Sequence, residues 1–372
     1  SRHFGAKAYD RMKTAVYTAL LTFLVISILL GSVGLLCGKW IMNLLQTPSD
    51  VLDLSVVYLN IYFLGLPFLF MYNVLSAMFN ALGKSRIPLY FLVFSSIFNV
   101  GLDIFMVKSL HMGVSGVAWA TLIAQGISAV LCFIYIVKKF PILHLKKENF
   151  RFSLPACGKL MALGVPMALQ FSITAIGTII VQGAVNVYGE DYMAGFSAAA
   201  KIQNVICTVF VAFGATIATY VGQNWGAGKV DRVRQGVRCT QIMILAYSVI
   251  AMILVFFFSK YLTYLFISPS ETKVIEVSVL YFHTVFWCYP FLGSIFLYRN
   301  TLQGLGYGLV PMLGGVFELA ARSAIVVLVA GKTSFAGVCL SDPAAWISAL
   351  IPLIPYYIYV TRKWKKQGKI AM

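Results

Sequence analysis

Long apolar stretches separated by short polar connections run along the whole chain. There are ten of them, at residues 15–36, 54–79, 87–107, 114–137, 160–187, 193–221, 237–258, 277–297, 309–330 and 345–360. Most reach the roughly 20 residues that a helix needs to cross a bilayer, whereas a barrel strand needs about 9–11 residues with strict alternation. None has the pattern of a cleaved signal peptide. The pattern therefore predicts an all-α polytopic membrane protein with ten transmembrane helices in this chain.

Two short blocks recur at nearly the same distance along the chain. FGAKAYDRMK at 4–13 and WGAGKVDRVR at 225–234 lie 221 positions apart and are identical at four of ten positions, and ALGKSRIP at 81–88 precedes GLGYGLVP at 304–311 by 223. Such a fixed offset indicates an internal duplication. The second copy has about 65 residues ahead of its first block and the first copy has three. We therefore expect that the first repeat lacks two helices and that the complete fold has twelve.

Composition and charge agree with a membrane protein. The 372 residues are 60% hydrophobic and 11% charged, whereas soluble domains carry about 25% charged residues. A net charge of +17 is also typical of nucleic-acid binding, but when the spans alternate, 22 of the 29 basic residues fall on one side and seven of the 12 acidic residues on the other. This is the positive-inside pattern. It predicts a multi-pass protein of the plasma membrane with a cytoplasmic C-terminus, and it makes a nucleic-acid partner unnecessary.

Signatures of metal, cofactor or catalytic chemistry are missing from the sequence. The seven cysteines contain no CxxC pair, and the four histidines do not cluster. Neither a phosphate-binding loop nor a nucleophile elbow is present. We expect no enzyme activity, no metal and no cofactor.

A basic connection between the fourth and fifth spans divides the chain. The predicted organisation is an N-terminal lobe at 1–140 with four of six helices, an inter-lobe loop at 141–156, a C-terminal lobe of six helices at 157–361, and a basic tail at 362–372. Halves of six helices share their orientation, so they form two pseudo-symmetric lobes related by an axis along the membrane normal. Some secondary transporters are built from such parallel repeats, with the binding site at the repeat interface.

Six motifs give the chain a resemblance to a known family. They are GLPFLFMYNVLSAMFNALGKSRIP at 65–88, NVGLDIFMV at 99–107, GVSGVAWATLIAQ at 113–125, GVPMALQFSITAIG at 164–177, AAAKIQNV at 198–205 and VGQNWGAGK at 221–229. In this order and spacing, they resemble the multidrug and toxic compound extrusion (MATE) transporters. The resemblance implies a twelve-helix, two-lobed antiporter that exports amphipathic, often cationic compounds in exchange for H⁺ or Na⁺.

A candidate coupling site lies in the third and fourth spans. An ionisable group inside a membrane costs at least about 2.5–3.5 kcal/mol on insertion scales, so Asp103 is a functional candidate by default. Asn99 and Asp103 are spaced i, i+4 on one helix face, and Thr121 of the next span lies at the depth of Asn99. The three side chains predict a proton or hard-cation site. The resemblance implies the same three residues together with an Asp on the first helix, which this chain does not contain. The alternative is that Asp103 is merely buried and paired.

Other polar residues within the spans have two interpretations each. Glu318 and Arg322, spaced i, i+4, either pair for structural reasons or contact substrate. Lys201 either lines a cavity or extends towards the interface. Gln170 either contacts substrate or bonds a neighbouring helix. We take these four residues as candidates for a substrate cavity.

The leading hypothesis is a monomeric secondary antiporter for small amphipathic or cationic compounds. Its rivals are a lipid-linked saccharide flippase of the same superfamily and a non-transporting membrane scaffold or fragment. The second lobe has few carboxylates within its spans apart from Glu318, which favours coupling to H⁺ over Na⁺. The sequence does not identify the substrate.

Overall fold

The computed structural model describes residues 1–44, 47–143, 151–329 and 334–366. Within this part of the chain the structure is helical, with short turns between helices. The helices are α1 (Arg2–Gly5), α2 (Tyr9–Leu44), α3 (Ser49–Ala81), α4 (Arg86–Ile104), α5 (Gly113–Lys139), α6 (Leu154–Asn186), α7 (Glu190–Gly226), α8 (Val230–Thr263), α9 (Thr272–Val285), α10 (Tyr289–Gly304), α11 (Leu309–Val329), α12 (Phe335–Cys339) and α13 (Ser341–Lys366). A turn of π-helix (Phe105–Ser109) follows α4, and 3₁₀ turns lie at Pro141–Leu143 and Phe286–Cys288.

Ten helical segments of the described chain are long and apolar enough to cross a membrane. This confirms the predicted all-α membrane fold and its ten spans. Most helices extend beyond the apolar stretch that predicts them; the first span is expected at 15–36, and its helix runs over Tyr9–Leu44. The reason is that hydropathy marks the part of a helix inside the hydrocarbon, while the helix continues into the headgroup region.

The chain divides into two compact units. The first comprises Ser1 and His3–Leu160, and the second comprises Arg2 and Met161–Met372. The lobe boundaries expected at 140 and 157 remain a prediction. Residues 144–150 of the expected inter-lobe loop and 367–372 of the expected tail lie outside the described residues.

The backbone of the two units repeats at the offsets found in the sequence. Lys7 has φ 55° and Gly228, 221 positions later, has φ 71°; Gly83 has φ 75° and Gly306, 223 positions later, has φ 90°. A left-handed backbone is uncommon except at glycine. Its recurrence at matched positions means that the same turns join the same helices in both units.

Proline marks a shared position where the two copies differ. Pro67 lies inside the continuous helix α3. Pro290, 223 positions later, lies in the first turn of α10, immediately after a 3₁₀ turn that interrupts the helical span. Proline removes one backbone donor and disfavours a helix interior, but it is tolerated in the first turn. The second unit therefore breaks its helix at a site where the first unit does not.

Helices α2 and α3 of the first unit pack closely along a stripe of small residues. Ser27, Gly31, Gly34 and Gly38 are buried. A Cβ added at Gly31 would lie 2.9 Å from the Phe63 carbonyl oxygen. Small residues at this spacing allow helix backbones to approach in membranes, where packing replaces the hydrophobic effect as the force between helices.

Candidate functional site

The predicted coupling residues of the first unit lie on α4 and α5. Asn99 of α4 donates from Nδ2 to Thr121 Oγ1 of α5 at 3.5 Å. Thr121 donates in turn to its own helix, to the Val117 carbonyl oxygen at 3.0 Å. The structure thus places Asn99 and Thr121 together, as their expected depths predict.

Asp103 follows Asn99 by one turn of α4. Its side chain is half-buried, and its Oδ1 is buried without a hydrogen-bond partner among the described residues. The π-helical turn begins two residues later, at Phe105; such turns are rare and occur frequently at functional sites. Burying a carboxylate oxygen without a hydrogen-bond partner costs free energy. A proton or a cation that binds this oxygen would reduce that cost.

A small cavity adjoins Thr121 within the first unit. Its volume is about 10 Å³, and its lining residues are Tyr58, Tyr62, Gly65, Ala118, Thr121, Leu122 and Gln125. A cavity of about 10–15 Å³ is large enough for one water molecule. The cavity has polar groups on its wall and room for a species the size of a water molecule or a small cation.

A network of ion pairs is buried in the second unit. Arg299 of α10 donates to Glu318 of α11. Arg322 Nη1 lies 3.9 Å from Glu318 Oε2, and its Nη2 donates to Asp342 Oδ1 of α13 at 3.1 Å. The Tyr281 hydroxyl of α9 donates to Asp342 Oδ2 at 2.7 Å. The side chains of Glu318 and Arg322 are only 5% and 8% exposed, so the pairs lie away from solvent.

Gln170 of α6 lies close to this network. A Cβ added at Gly315 of α11 would lie 3.1 Å from Gln170 Cγ, and one added at Gly177 of α6 would lie 3.2 Å from Arg322 Cδ. Gln170 is 2% exposed, and its Oε1 has no hydrogen-bond partner among the described residues. Three of the four substrate-cavity candidates, Gln170, Glu318 and Arg322, therefore occupy one region between α6 and α11.

Lys201 is not part of that region in the described structure. Its side chain is exposed on α7, with Nζ 5.6 Å from the centre of the Phe266 ring. No ion pair joins it to a described carboxylate. Lys201 thus makes a cation–π contact of a kind worth about 0.5–1 kcal/mol at exposed sites.

Sequence reasoning missed three members of the buried network. Arg299 is one of the 22 basic residues that the charge pattern assigns to the cytoplasmic side, but α10 continues to Gly304 and the Arg299 side chain is only 11% exposed. Asp342 is one of the seven acidic residues that the same pattern assigns to the opposite side, but it lies in the first turn of α13 and contacts Arg322. At the offset of 223 that holds in this region, the repeat relates Asn99 to Arg322 and Thr121 to Ala344, so it indicates the neighbourhood of Asp342 but not Asp342 itself. Tyr281 gives no such signal.

One known protein family matches most of this chain. The MatE family profile matches residues 1–105 and 166–328, well over half of the chain. The protein belongs to the MatE family, whose members are membrane transporters rather than enzymes and need no cofactor. The resemblance read from the sequence motifs is thereby confirmed.

The individual proteins that the chain resembles share less than a third of their residues with it. The chain is 29% identical over 296 residues to the probable multidrug resistance protein YpnP of Bacillus subtilis, covering 78% of this chain and 64% of that protein. It is 26% identical over 374 residues to the probable multidrug resistance protein YoeA of the same organism, covering 98% of this chain and 80% of that protein. A crystal structure of MATE in the bent conformation has a TM-score of 0.91 at 16% identity, covering 99% of this chain and 82% of that one. The last match supports the fold alone.

Proposed function

We propose that this protein is a secondary antiporter that exports amphipathic or cationic compounds in exchange for H⁺ or Na⁺. The observation that carries the proposal is the buried, unpartnered Oδ1 of Asp103, one helical turn from the Asn99–Thr121 hydrogen bond. The names of YpnP and YoeA, each called a probable multidrug resistance protein, support the substrate class.

Coupling requires that the cation bind one state of the transporter more tightly than the other. Asp103 Oδ1 has no hydrogen-bond partner among the described residues, and on this proposal the transported proton or cation is its partner. Neutralising this carboxylate removes the cost of a buried charge. A conformation that keeps Asp103 buried is thus stabilised by the bound cation, while one that hydrates Asp103 releases it.

The second unit supports coupling at a single site. Both carboxylates of its buried network, Glu318 and Asp342, are already paired with arginine. This arrangement agrees with the preference for H⁺, since a sodium site needs several oxygen ligands and the described part of the second unit presents no unpaired carboxylate beside Glu318.

Different roles follow for the four substrate-cavity candidates. Glu318 and Arg322 link α11 to α10 and α13, so their first role is to hold these helices together. Gln170 has a buried amide oxygen without a partner, which makes it the candidate that a substrate donor would satisfy. Lys201 is exposed, lies apart from them and contacts the Phe266 ring, so it has no assigned role in the cavity.

The setting of this activity is a further part of the proposal. We place the protein in the plasma membrane as a monomer, with the Lys- and Arg-rich connections on the cytoplasmic side. Substrates then reach it as small molecules from the cytoplasm or the inner leaflet.

Export driven by an ion gradient tests the proposal. The protein, produced from its complete reading frame, is reconstituted in liposomes, and export of a cationic dye is followed under an imposed H⁺ or Na⁺ gradient. Asp103→Asn is expected to abolish gradient-driven export. Asp53→Asn, which removes an exposed carboxylate from the first turns of α3, is the matched control and should transport like the wild type.

Three results contradict the proposal. If Asp103→Asn exports as well as the wild type, Asp103 is not the coupling site. Gradient-independent transfer of a lipid-linked saccharide, with no dye export, identifies a flippase instead. Absence of both activities in folded wild-type protein identifies a scaffold.

A further inference from the structure

A large open cavity lies at one end of the second unit. Its volume is about 450 Å³, and helices α8, α10 and α13 line it. The lining residues are Arg234, Val237, Arg238, Gln241, Ile242, Tyr298, Tyr357 and Thr361. Neither the coupling site nor the buried ion network includes any of them.

Hydrogen-bond donors dominate the polar wall of this cavity. Arg234 and Arg238 are exposed and spaced i, i+4 on α8, so they share one helix face. Among the described residues, no carboxylate lies within the 4.0 Å of an ion pair from either guanidinium. Tyr298 and Tyr357 add two hydroxyls, and their rings pack at 5.3 Å. Two guanidinium groups without acidic partners form a site for an acceptor-rich anion, and phosphate matches the guanidinium fork.

The polar end of the lining lies near helix ends on one side, and Gln241 and Ile242 extend the lining 11 and 12 residues into α8. Arg234 and Arg238 follow the start of α8 at Val230 by four and eight residues, which is about 6 and 12 Å along the axis. Tyr298 lies six residues before the end of α10, and Thr361 five before the end of α13. These ends belong to the side with most of the basic residues. The cavity therefore lies at the depth of lipid headgroups in the cytoplasmic leaflet.

An apolar surface continues from the cavity along α8. Ile242, at the cavity wall, is 67% exposed, and Leu245 and Val249 follow it with 42% and 52% exposure. In a bilayer such a surface faces acyl chains. A ligand with a phosphate and attached hydrocarbon would thus meet both parts of the site.

One polar position of the lining is apolar in the first unit. The offset of 223 relates Tyr298 to Leu75, which belongs to a buried cluster with Leu143, from the turn that follows α5. The offset of 221 relates Arg234 to Lys13, so both copies keep a basic residue at this end. The second copy thus adds a tyrosine hydroxyl beside a basic position that the two copies share.

We infer that this cavity binds the phosphate of an anionic phospholipid from the cytoplasmic leaflet. Basic pockets between transmembrane helices on this side bind anionic headgroups in other membrane proteins. A soluble phosphate offers the same acceptor chemistry, but the exposed apolar face beside the arginines favours a lipid. The site is independent of Asp103, so Asp103→Asn should bind lipid like the wild type even if the coupling proposal fails.

The test measures lipid binding by the purified protein from its complete reading frame. Phosphatidylglycerol or phosphatidylcholine is titrated into detergent micelles, and both the thermal midpoint and bound lipid by native mass spectrometry are recorded. We expect phosphatidylglycerol to bind at least tenfold more tightly than phosphatidylcholine. Arg234→Gln/Arg238→Gln should weaken phosphatidylglycerol binding at least tenfold. Arg232→Gln removes an exposed arginine of the same helix that does not line the cavity, and it should leave binding unchanged.

Several outcomes overturn the inference. If the double variant binds phosphatidylglycerol like the wild type, the two arginines do not bind the phosphate. An equal loss in Arg232→Gln shows a general charge effect without a defined site. If inorganic phosphate or glycerol 3-phosphate saturates the site at millimolar concentration and phosphatidylglycerol binds no more tightly than they do, the site is one for a soluble anion.

Discussion

The two units place different chemistry at equivalent positions of one scaffold. In the first, Asn99 of α4 contacts Thr121 of α5, and in the second, Arg322 of α11 contacts Asp342 of α13. The offset of 223 residues relates Asn99 to Arg322, and Thr121 and Asp342 each lie on the next membrane-spanning helix along the chain. Duplication has therefore kept a polar contact between the same two helices, while a neutral pair in one copy corresponds to an ion pair in the other.

This difference bears on which unit can exchange a cation. Arginine remains charged at any pH that a protein experiences, so Arg322 is a fixed cation between Glu318 and Asp342. Asp103 has no such cation among its described neighbours. The second unit thus contains its own cation, and the first has a carboxylate available for one. On the proposed function, this predicts one coupling ion site per chain.

A substitution can give the first unit the fixed cation of the second. Asn99→Arg introduces a guanidinium one turn from Asp103, at the position that Arg322 occupies in the repeat. We expect gradient-driven export to fall by at least about tenfold, because a fixed cation removes the free-energy coupling, typically about 1–3 kcal/mol, between ion and substrate. Dye export in proteoliposomes measures the effect.

Asn99→Gln is the control for this substitution, since it keeps an amide and should retain most of the export. A thermal midpoint for Asn99→Arg near that of the wild type shows that the variant is folded. If the folded Asn99→Arg protein still couples export to the gradient, the fixed-cation argument is wrong.

The converse substitution makes the second unit resemble the first. Arg322→Asn leaves Asp342 without its arginine and Glu318 with Arg299 alone. Removing one partner of a buried ion pair costs about 3–5 kcal/mol. Chemical unfolding in detergent should show a loss of stability of this size.

An exposed ion pair provides the contrast. Lys273 and Asp191 lie 2.8 Å apart with side chains 63% and 43% exposed. Solvent screens an exposed pair and leaves it little net contribution, so Lys273→Asn should lose far less stability than Arg322→Asn. Equal losses for Arg322→Asn and Lys273→Asn would show that the buried network adds no particular stability.

The sequence predicts the helices and the family well because both depend on extended patterns. Ten apolar stretches become ten spans, and the block repeat reappears in the backbone angles of Gly83 and Gly306. The Asn99–Thr121 contact is also predicted, since helical rise alone places the two residues at one depth.

The buried network shows where sequence reasoning is insufficient. Glu318 is the predicted partner of Arg322, but Asp342 is the nearer one, at 3.1 Å against 3.9 Å. Ser341, Asp342 and Pro343 have the composition of a loop, yet they form the first turn of α13, where acidic residues and proline are favoured. Ion-pair partners on separate helices depend on tertiary packing, and local spacing does not contain that information.

A smaller effect is expected from the hydroxyl that supports the network. Tyr281→Phe removes the donor to Asp342 Oδ2 and keeps the ring, which packs on Phe196 at 5.4 Å. Hydrogen bonds to charged groups contribute about 1.5–3 kcal/mol, so unfolding should show a loss within that range. Tyr261→Phe, at a 64% exposed position, should show no loss. If both variants are as stable as the wild type, Tyr281 does not hold Asp342 in place.

The smallest effect should come from the neutral contact in the first unit. Thr121→Val keeps the shape of the side chain and removes the oxygen that accepts from Asn99 and donates to Val117. A neutral hydrogen bond contributes about 0.5–1.5 kcal/mol, so the half-saturating cation concentration for export should rise about two- to tenfold. Thr178→Val is the matched control, because Thr178 is exposed and makes the same bond to its own helix, to the Thr174 carbonyl oxygen at 2.9 Å. Thr121→Ser should restore the wild-type value. An unchanged cation dependence in Thr121→Val would place the coupling ion on Asp103 alone and leave the contact between α4 and α5 a structural one.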